Sequence, residues 1–321
     1  MLFMENNELI FLKPVFKHNV WGGAKLRTQF GFDVEGNDIG ECWGIAAHPN
    51  GDAQIDGGKY NGKKLSELWN EHRELFGNAD GDRFPLLVKI IDAKDDLSIQ
   101  VHPGNEYAAE HENGSLGKNE CWYVLSAEPG SKLVVGHNAK TKEELDSMID
   151  EGRFDELIRE VPISKGDFIQ IDSGTVHAIK GGIVLMETQQ SSDITYRVYD
   201  YDRLWNGEKR ELHIEKSKDV ITVPAPEADK MILHEEVSLD DVKGCDDKLL
   251  VKCPYYEVRR LYVNGTCTGG CGDDYVLMTV VDGEGTVDGH LVHKGSFFII
   301  PSGHGTLTIT GKLNIIASRA F

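Results

Sequence analysis

The chain is divided by 35 glycines into short runs that are rich in Val, Ile, Phe, Tyr and Thr. Because β-branched and aromatic residues favour strands and glycine marks turns, this pattern is typical of an all-β sandwich or barrel. The runs expected to form strands are Phe84–Ala93, Ser98–His102, Cys121–Ser126, Asp167–Asp172, Ile183–Thr188, Thr195–Tyr201, Tyr256–Val263, Tyr275–Val281 and Ser296–Pro301. The fold class is therefore predicted to be mainly β.

Two stretches have helical spacing instead. In Lys64–Phe76, apolar residues recur every three or four positions, which predicts an amphipathic helix. The stretch Thr141–Val161 begins with Thr-Lys-Glu-Glu, a capping box that satisfies backbone N–H groups of a first helical turn. Two apolar stripes follow, and we expect Gly152 to divide them. A small helical region should therefore accompany the strands.

A segment with two prolines and no periodicity, residues 223–229, is predicted to be a linker. It separates residues 1–222, which hold both helical stretches, from residues 230–321, which again have strand character. We therefore expect a catalytic domain followed by a smaller β domain.

An internal repeat supports this division. Lys165–His177 aligns without a gap on Lys294–Thr306, and both copies have Lys-Gly, a following Phe and Ile, and then Ser-Gly. Two copies of one β unit indicate two similar barrels. The copies differ at the last position, where the first has His and the second has Thr. One barrel is therefore expected to carry the chemistry.

The chain is strongly acidic: 34 Lys and Arg against 53 Asp and Glu give a formal net charge of −19. Such a surface repels phosphate backbones and anionic lipids, which makes nucleic acid and membranes poor partners. No apolar run approaches the roughly 20 residues of a membrane span, and the first residues are acidic where a signal peptide is basic. The expected location is the cytoplasm.

The six cysteines include no Cys-x-x-Cys motif. In a cytoplasmic protein they are expected to remain thiols. Cys267 and Cys271 are the only close pair, and a metal or redox role for them is the less favoured alternative.

Three separated stretches carry side chains that suit a metal. Gln100 and His102 share one face of their strand because side chains alternate along it. Glu120 shares a face with Lys118 in the next run, and His177 follows the Ser-Gly turn. Two imidazoles, one carboxylate and one amide oxygen suit Zn²⁺ with room for water or substrate. Any one of the 12 histidines could instead be an ordinary buried or surface residue.

A candidate for charge stabilisation is Arg197, which alternates to one face with Tyr199 and Tyr201. An arginine that faces inward binds a phosphate or a developing oxyanion well, although a structural ion pair is the alternative. Glu187 is either its partner or a proton-transfer group, and Lys118 is a cationic candidate near the metal.

At these residues the chain resembles the type I mannose-6-phosphate isomerases (phosphomannose isomerases) of the short bacterial kind. The blocks that carry the resemblance, in family order, are Lys13–Phe16, Trp21–Gly23, Gly40–Gly51, Phe84–Ala93, Leu97–Pro103, Gly117–Tyr123, Gly166–Ala178 and Glu187–Arg203. The resemblance implies a cupin fold with two jelly-roll barrels and a small helical region. It also implies one zinc ion and the interconversion of mannose 6-phosphate and fructose 6-phosphate through a cis-enediol.

The resemblance further implies roles for individual residues. The zinc ligands carry over to Gln100, His102, Glu120 and His177, and the catalytic arginine carries over to Arg197. Glu187, Lys118 and a zinc-bound water are all candidates for the proton-transfer base, and Arg197 or Lys118 could hold the phosphate. The chain lacks the long helical insertion of the eukaryotic enzymes.

Two other functions fit the same pattern. A set of two histidines and one carboxylate also suits a non-haem iron enzyme such as a dioxygenase, and a sugar-binding cupin without catalysis could keep the pocket. In the second barrel, which is expected to lack a metal site, His290, His293 and His304 are most simply solvated or capping residues. The expected partner is a phosphorylated hexose, and the chain is expected to be a monomer or homodimer.

Overall fold

The structure is a computed structural model that describes residues 8–235, 237–270 and 272–321. Strands make up most of its regular structure, which confirms the mainly β prediction. The strands, in chain order, are β1 (Ile10–Lys13), β2 (Val15–Gly23), β3 (Ile39–Ile45), β4 (Ala47–His48), β5 (Gly51–Asp52), β6 (Gln54–Ile55), β7 (Leu86–Ala93), β8 (Ile99–Val101), β9 (Glu120–Ser126), β10 (Lys132–His137), β11 (Ile158–Pro162), β12 (Phe168–Ile171), β13 (His177–Ile179), β14 (Ile183–Gln190), β15 (Tyr196–Tyr199), β16 (Leu204–Trp205), β17 (Glu208–Lys209), β18 (Ile232–Leu233), β19 (Gly244–Lys252), β20 (Tyr256–Gly270), β21 (Val276–Val287), β22 (His290–His293), β23 (Phe297–Ile300) and β24 (Thr306–Ala320).

The helices are short. They are α1 (Lys25–Phe30), α2 (Leu65–Glu71), α3 (Asn105–His111), α4 (Lys142–Asp150), α5 (Phe154–Leu157) and α6 (Ile214–Val220), with 3-10 turns at Arg73–Phe76, Ala228–Lys230 and Leu239–Asp241. Across the described ranges, no helix has the length and apolar composition needed to cross a bilayer.

Two sheets form the first barrel. One has the strand order β18-β12-β9-β14-β7-β2-β3, and the other has the order β11-β10-β13-β8-β15. Their inner faces share an apolar core that includes Ile91, Leu185 and Val135. The outer face of the five-stranded sheet packs under α4 and α5, where Leu145 and Leu157 are fully buried. Polar side chains that point into the barrel therefore lie between two sheets and away from bulk water.

A third sheet has the order β19-β20-β24-β21-β23-β1-β6, with β22 paired to β21. Two of its strands, β1 and β6, come from the first 60 residues of the chain. One of its faces packs on the outer face of the seven-stranded sheet, where Phe297 and Tyr256 share a core with Ile90 and Tyr123. This packing gives β9, β14 and β7 a rigid backing on the side away from the barrel interior.

Both expected helical stretches contain helices. Thr141 accepts a hydrogen bond from the backbone N of Glu144 at 3.2 Å, so it caps α4 as the sequence predicts. Gly152 has φ +68° and separates α4 from α5. The prediction that helix extends to residue 161 is wrong, because Ile158–Pro162 pairs with β10 as a strand. Pairing with a neighbouring strand outweighs the local helical spacing here.

The internal repeat is visible in the backbone. Gly166 and Gly295, which occupy the same repeat position, have φ of +95° and +91°. A four-residue strand follows in each copy, and the glycines of the two Ser-Gly turns also have positive φ. His177 and Thr306 then begin the next strand in their respective copies. The repeat is therefore one structural unit used twice.

The expectation that all cysteines remain thiols is wrong for two of them. Cys245 and Cys267 form a disulfide between the neighbouring strands β19 and β20, with Cα atoms 5.6 Å apart. This Cα separation lies within the usual range for a disulfide. Cys42, Cys121 and Cys253 are free thiols, and Cys271 lies outside the described residues. Strand pairing, which joins residues distant in sequence, decides which sulfurs meet.

Candidate metal centre and active site

Three side chains from separate stretches of the chain converge between the two sheets of the first barrel. His102, Glu120 and His177 offer ligand atoms that all lie within 4.8 Å of one another. His102 Nε2 lies 3.4 Å from Glu120 Oε2, and His177 Nε2 lies 3.4 Å from Glu120 Oε1. All three residues are buried. The group has the composition and spacing of a site that could hold a metal ion.

The strand register explains part of this convergence. Gln100 in strand β8, which lies between β13 and β15, pairs with His177 on one side and with Arg197 on the other. These three residues therefore form one row across the five-stranded sheet. Glu120 begins β9 in the facing sheet and approaches the row from the opposite side. The site is thus assembled by two sheets, and neither sheet contains it alone.

Hydrogen bonds orient both imidazoles toward Glu120. His102 Nδ1 donates to the carbonyl of Ile194 at 2.8 Å, and His177 Nδ1 donates to the carbonyl of Thr175 at 2.9 Å. His102 Nε2 and Glu120 Oε1 are buried without a hydrogen-bond partner, whereas Glu120 Oε2 has an ion-pair contact with Lys118 Nζ at 2.8 Å. Buried polar atoms are costly when they are unpaired. Backbone-bonded Nδ1 atoms and converging unpaired ligand atoms are the features expected of a metal site.

The carboxamide of Gln100 adjoins this group. Its Nε2 lies 3.1 Å from His177 Nε2, and its Oε1 accepts from Ser98 Oγ at 3.3 Å. A half-turn of the carboxamide would exchange the two atoms and bring an oxygen ligand to the same place. Gln100 is therefore near enough to be a fourth ligand.

The protonation states also suit a metal. Burial lowers the pKa of His102, and neighbouring Lys118 and His177 lower it further. Burial likewise lowers the pKa of His177. Burial alone would raise the pKa of Glu120, but Lys118 and His177 outweigh that effect and lower it to about 2. At neutral pH the site therefore presents neutral imidazoles and an ionised carboxylate, the forms that bind metals.

A second row lies on the facing sheet. Trp122, Glu187 and Lys89 pair directly across β9, β14 and β7. Lys89 Nζ lies 3.4 Å from Glu187 Oε2 and 3.1 Å from Glu41 Oε1. Burial would lower the pKa of Lys89, but the two glutamates outweigh it and raise that pKa.

Lys118 connects this row to the metal group, which consists of His102, Glu120 and His177. Its Nζ lies 2.8 Å from Glu120 Oε2 and 3.7 Å from Glu187 Oε1. A continuous chain of alternating charges therefore runs from Glu41 through Lys89, Glu187 and Lys118 to Glu120. Each carboxylate in it is held at a defined position by a lysine.

Glu41, Lys89, Glu187 and Lys118 line a cleft of about 470 Å³, which also contains Arg197 and Gln100. Arg197 Nε is buried and has no hydrogen-bond partner. The expectation that Tyr199 shares its face is wrong. A register shift separates Arg197 from Tyr199, and Tyr199 stacks on Phe154 of α5 at 4.2 Å between ring centroids. A bulge breaks the simple alternation of side chains.

Several cleft residues were missed by the sequence reasoning, namely Lys17, Glu41, Lys89, Asp193 and Arg210. Lys89 did leave a signal, because it is a single lysine in a run whose other residues, apart from Asp92, are apolar. A buried lysine requires charge partners, so its presence there indicates a polar site. Arg210 follows a polar hairpin and leaves no periodic signal.

Comparisons with known proteins agree with this geometry. A family model described as "Phosphomannose isomerase type I, catalytic domain" matches residues 9–124, and one described as "Mannose-6-phosphate isomerase, cupin domain" matches residues 246–320. The mannose-6-phosphate isomerase ManA of Bacillus subtilis is 46% identical over 317 residues, which cover 97% of this chain and 99% of the relative. The mannose-6-phosphate isomerase of Streptococcus mutans is 44% identical, with 98% of each chain covered.

The fold comparison gives the same result. The crystal structure of the mannose 6-phosphate isomerase from Bacillus subtilis superposes with a TM-score of 0.91 at 43% identity, covering 97% of this chain and 99% of that one. A putative mannosephosphate isomerase from Archaeoglobus fulgidus, at 22% identity and a TM-score of 0.79, shares the fold. Nearly full-length similarity of sequence and structure shows that this chain belongs to the type I phosphomannose isomerase family, as the resemblance in its sequence implied.

Proposed function

We propose that the chain is a zinc-dependent aldose–ketose isomerase that interconverts D-mannose 6-phosphate and D-fructose 6-phosphate through a cis-enediol. The relatives that match nearly its whole length carry the name mannose-6-phosphate isomerase. The observation that carries the proposal is the convergence of buried ligand atoms from His102, Glu120 and His177, of which His102 Nε2 has no hydrogen-bond partner, beside a cationic cleft.

His102, Glu120 and His177 would hold the zinc ion, with Gln100 as the fourth ligand. Bound zinc would supply Lewis-acid polarisation of the substrate oxygens at C1 and C2. The choice of zinc is supported by a mixed nitrogen and oxygen ligand set with an open position.

Glu187 is our candidate for the group that carries the proton between C2 and C1. It lines the cleft and lies outside the ligand group, and both of its oxygens have cationic neighbours. A positioned carboxylate of this kind suits general base and then general acid catalysis. Lys118 is already paired to Glu120 and Glu187, so its role in the proposal is to hold them in place. Glu187→Gln should lower kcat at least roughly a hundredfold with zinc retained.

Arg197 would stabilise the negative charge that develops on the substrate oxygens. Arg197 pairs with Gln100 in the sheet, and its guanidinium keeps an unpartnered Nε–H. Fixed positive charge in a water-poor site stabilises a developing oxyanion without reorganisation.

We also propose that residues 1–222 form the catalytic domain and residues 230–321 a domain without metal that backs it, joined by residues 223–229. The two domains exchange short strands, since β1 and β6 belong to the third sheet and β18 pairs with β12 of the first barrel. The third sheet packs behind β7, β9 and β14 and so supports the strands that carry Glu120 and Glu187. A monomeric or homodimeric state and a location in the cytoplasm stay predictions.

A coupled assay for fructose 6-phosphate formed from mannose 6-phosphate tests the activity. Chelation should abolish it, and Zn²⁺ should restore it. No product from the zinc-loaded chain would refute the isomerase. Recovery with Fe²⁺ alone would refute the zinc assignment and favour iron chemistry.

A further inference from the structure

We propose that Arg210 binds the phosphate group of the substrate and that Asp200 is the positioning residue that holds Arg210 in the cleft. The proposal rests on the proposed isomerase function, since it assigns one end of the same substrate. It concerns residues outside the metal group and outside the row that contains Glu187.

The geometry around Asp200 supports a positioning role. Its carboxylate is only 4% exposed and accepts from Arg210 Nε at 2.8 Å and from Arg210 Nη2 at 2.6 Å. A two-point contact fixes the plane of the guanidinium as well as its position. Arg203 Nη2 donates to the same carboxylate at 2.6 Å. One negative charge is thus shared between two guanidinium groups, which leaves a net positive charge at this end of the cleft.

The other cations of the cleft are already engaged. Lys89 and Lys118 are paired with the glutamates of the alternating chain. Lys17 donates to the carbonyl of Asn50 and lies 4.9 Å from the centre of the Trp43 ring. In the part of the chain that the structure describes, Arg210 Nη1 makes no hydrogen bond, and neither does the guanidinium of Arg197. The two arginines therefore hold guanidinium donors that remain for a ligand.

Arg197 and Arg210 are close enough to affect each other. Burial lowers the pKa of the Arg197 guanidinium, and Arg210 is the next largest cause of that lowering. Two like charges that line one cleft repel each other, and Asp200 and Asp193 offset part of this repulsion. A phosphate dianion relieves this repulsion, and guanidinium groups match its oxygens with two donors each.

The order of groups along the cleft also matches the order of groups in a hexose phosphate. The metal group adjoins Gln100, Gln100 pairs with Arg197, and Arg197 has Arg210 as a neighbour. The substrate likewise has its reacting carbons at one end and its phosphate at the other. This order assigns the charge at the reacting end to Arg197 and the phosphate to Arg210.

Arg203 provides a matched control. It shares Asp200 with Arg210 and also donates to the carbonyl of Asp96, but it is not among the residues that line the cleft. Replacing either arginine with methionine removes the same charge from the same carboxylate. Only the replacement of Arg210 removes a donor from the cleft.

The experiment uses the full zinc-loaded chain and two measurements. Steady-state kinetics with mannose 6-phosphate give kcat and KM, and titration calorimetry with mannitol 1-phosphate, a phosphorylated polyol without a carbonyl, gives a Kd. We expect Arg210→Met to raise KM and Kd at least tenfold and to lower kcat less than threefold. Asp200→Asn should also raise KM and Kd, but by a smaller factor than Arg210→Met. Arg203→Met should change them less than threefold, and zinc content should be unchanged in all variants.

The inference is overturned if Arg210→Met leaves the Kd of mannitol 1-phosphate unchanged, or if Arg203→Met raises it as much. Loss of kcat at constant KM would also overturn it. If Arg210→Met does not fold, Arg210→Lys replaces it and should give an intermediate Kd, because it keeps the charge and loses the two-point contact. If the unaltered chain binds mannitol 1-phosphate but does not isomerise mannose 6-phosphate, the proposed function fails, and the Kd series still decides the role of Arg210.

Discussion

The indole Nε1–H of Trp122 donates to Glu187 Oε1 at 3.3 Å, and the two residues pair directly across strands β9 and β14. Both side chains are buried, and both line the cleft. Because Trp122 bonds Oε1, the other carboxylate oxygen of Glu187, Oε2, faces Lys89. The two contacts together fix the plane of the Glu187 carboxylate. A strand-to-strand hydrogen bond therefore sets the orientation of the proposed proton carrier.

Trp122→Phe should lower kcat about tenfold, because a misoriented base transfers protons less well and one hydrogen bond to a charged group is worth about 1.5–3 kcal/mol. KM should change little, and zinc content should be unchanged. Tyr123→Phe is the matched control, since its hydroxyl bonds Tyr262 and Asn314 on the opposite side of the strand. Equal losses of kcat in both variants would contradict the positioning of Glu187 by Trp122.

His177→Ala should abolish metal binding and activity together, because it removes one of the four proposed ligands from a buried site. Metal analysis of the purified protein and the coupled assay measure the two effects. His137→Asn is the control: His137 is also buried, but it bonds the carbonyl of Thr222 instead of facing the metal group. Full activity in a metal-free His177→Ala protein would refute the metal assignment.

Arg197→Ala should lower kcat far more than it raises KM. If Arg197 stabilises charge that appears only in the transition state, kcat should fall roughly a hundredfold. Steady-state kinetics over a range of mannose 6-phosphate concentrations separate the two constants. A pure KM effect would reassign Arg197 to ground-state binding of the substrate.

Asp200 should make stability depend on pH. Burial would raise the pKa of this carboxyl, but its hydrogen bonds from Arg210 and Arg203 outweigh burial and lower it. A lowered pKa means that the stabilisation is present above the unfolded value of about 3.9 and is lost as pH falls through the folded-state value. Asp200→Asn should therefore lower the free energy of unfolding by about 2 kcal/mol at pH 7 and by clearly less at pH 3. Urea unfolding at both pH values measures this change in the free energy of unfolding. Asp80→Asn is the control, because Asp80 is exposed. A difference that does not shrink at pH 3 would argue against the charged contact.

The disulfide should stabilise the third sheet. Cys245 and Cys267 are separated by 22 residues, and closing a loop of that length is worth about 3 kcal/mol. Cys245→Ala should lower the free energy of unfolding by that amount in oxidising buffer. Dithiothreitol should lower the free energy of unfolding of the unaltered protein by the same amount. Cys253→Ala, which removes a free thiol, should not abolish the effect of dithiothreitol. If dithiothreitol leaves the unfolding curve of the unaltered protein in place, the disulfide contributes nothing.

The sequence by itself determined the mainly β class, the repeated unit that ends at His177 and Thr306, and the alternation that puts Gln100 and His102 on one face. These features are local, because side-chain periodicity and glycine turns depend on near neighbours in the chain. With the family resemblance, they also pointed to His102, Glu120 and His177, which the structure brings within 4.8 Å of one another.

Only the tertiary structure decided which rows meet across the cleft. Lys89 lies against Glu187 because β7 pairs with β14 in one register, and Arg210 enters the cleft because Asp200, ten residues earlier, holds it there. The same holds for the Cys245–Cys267 disulfide and for the bulge that turns Tyr199 away from Arg197. Strand register and loop placement depend on contacts between distant residues, and a local pattern carries no information about those contacts.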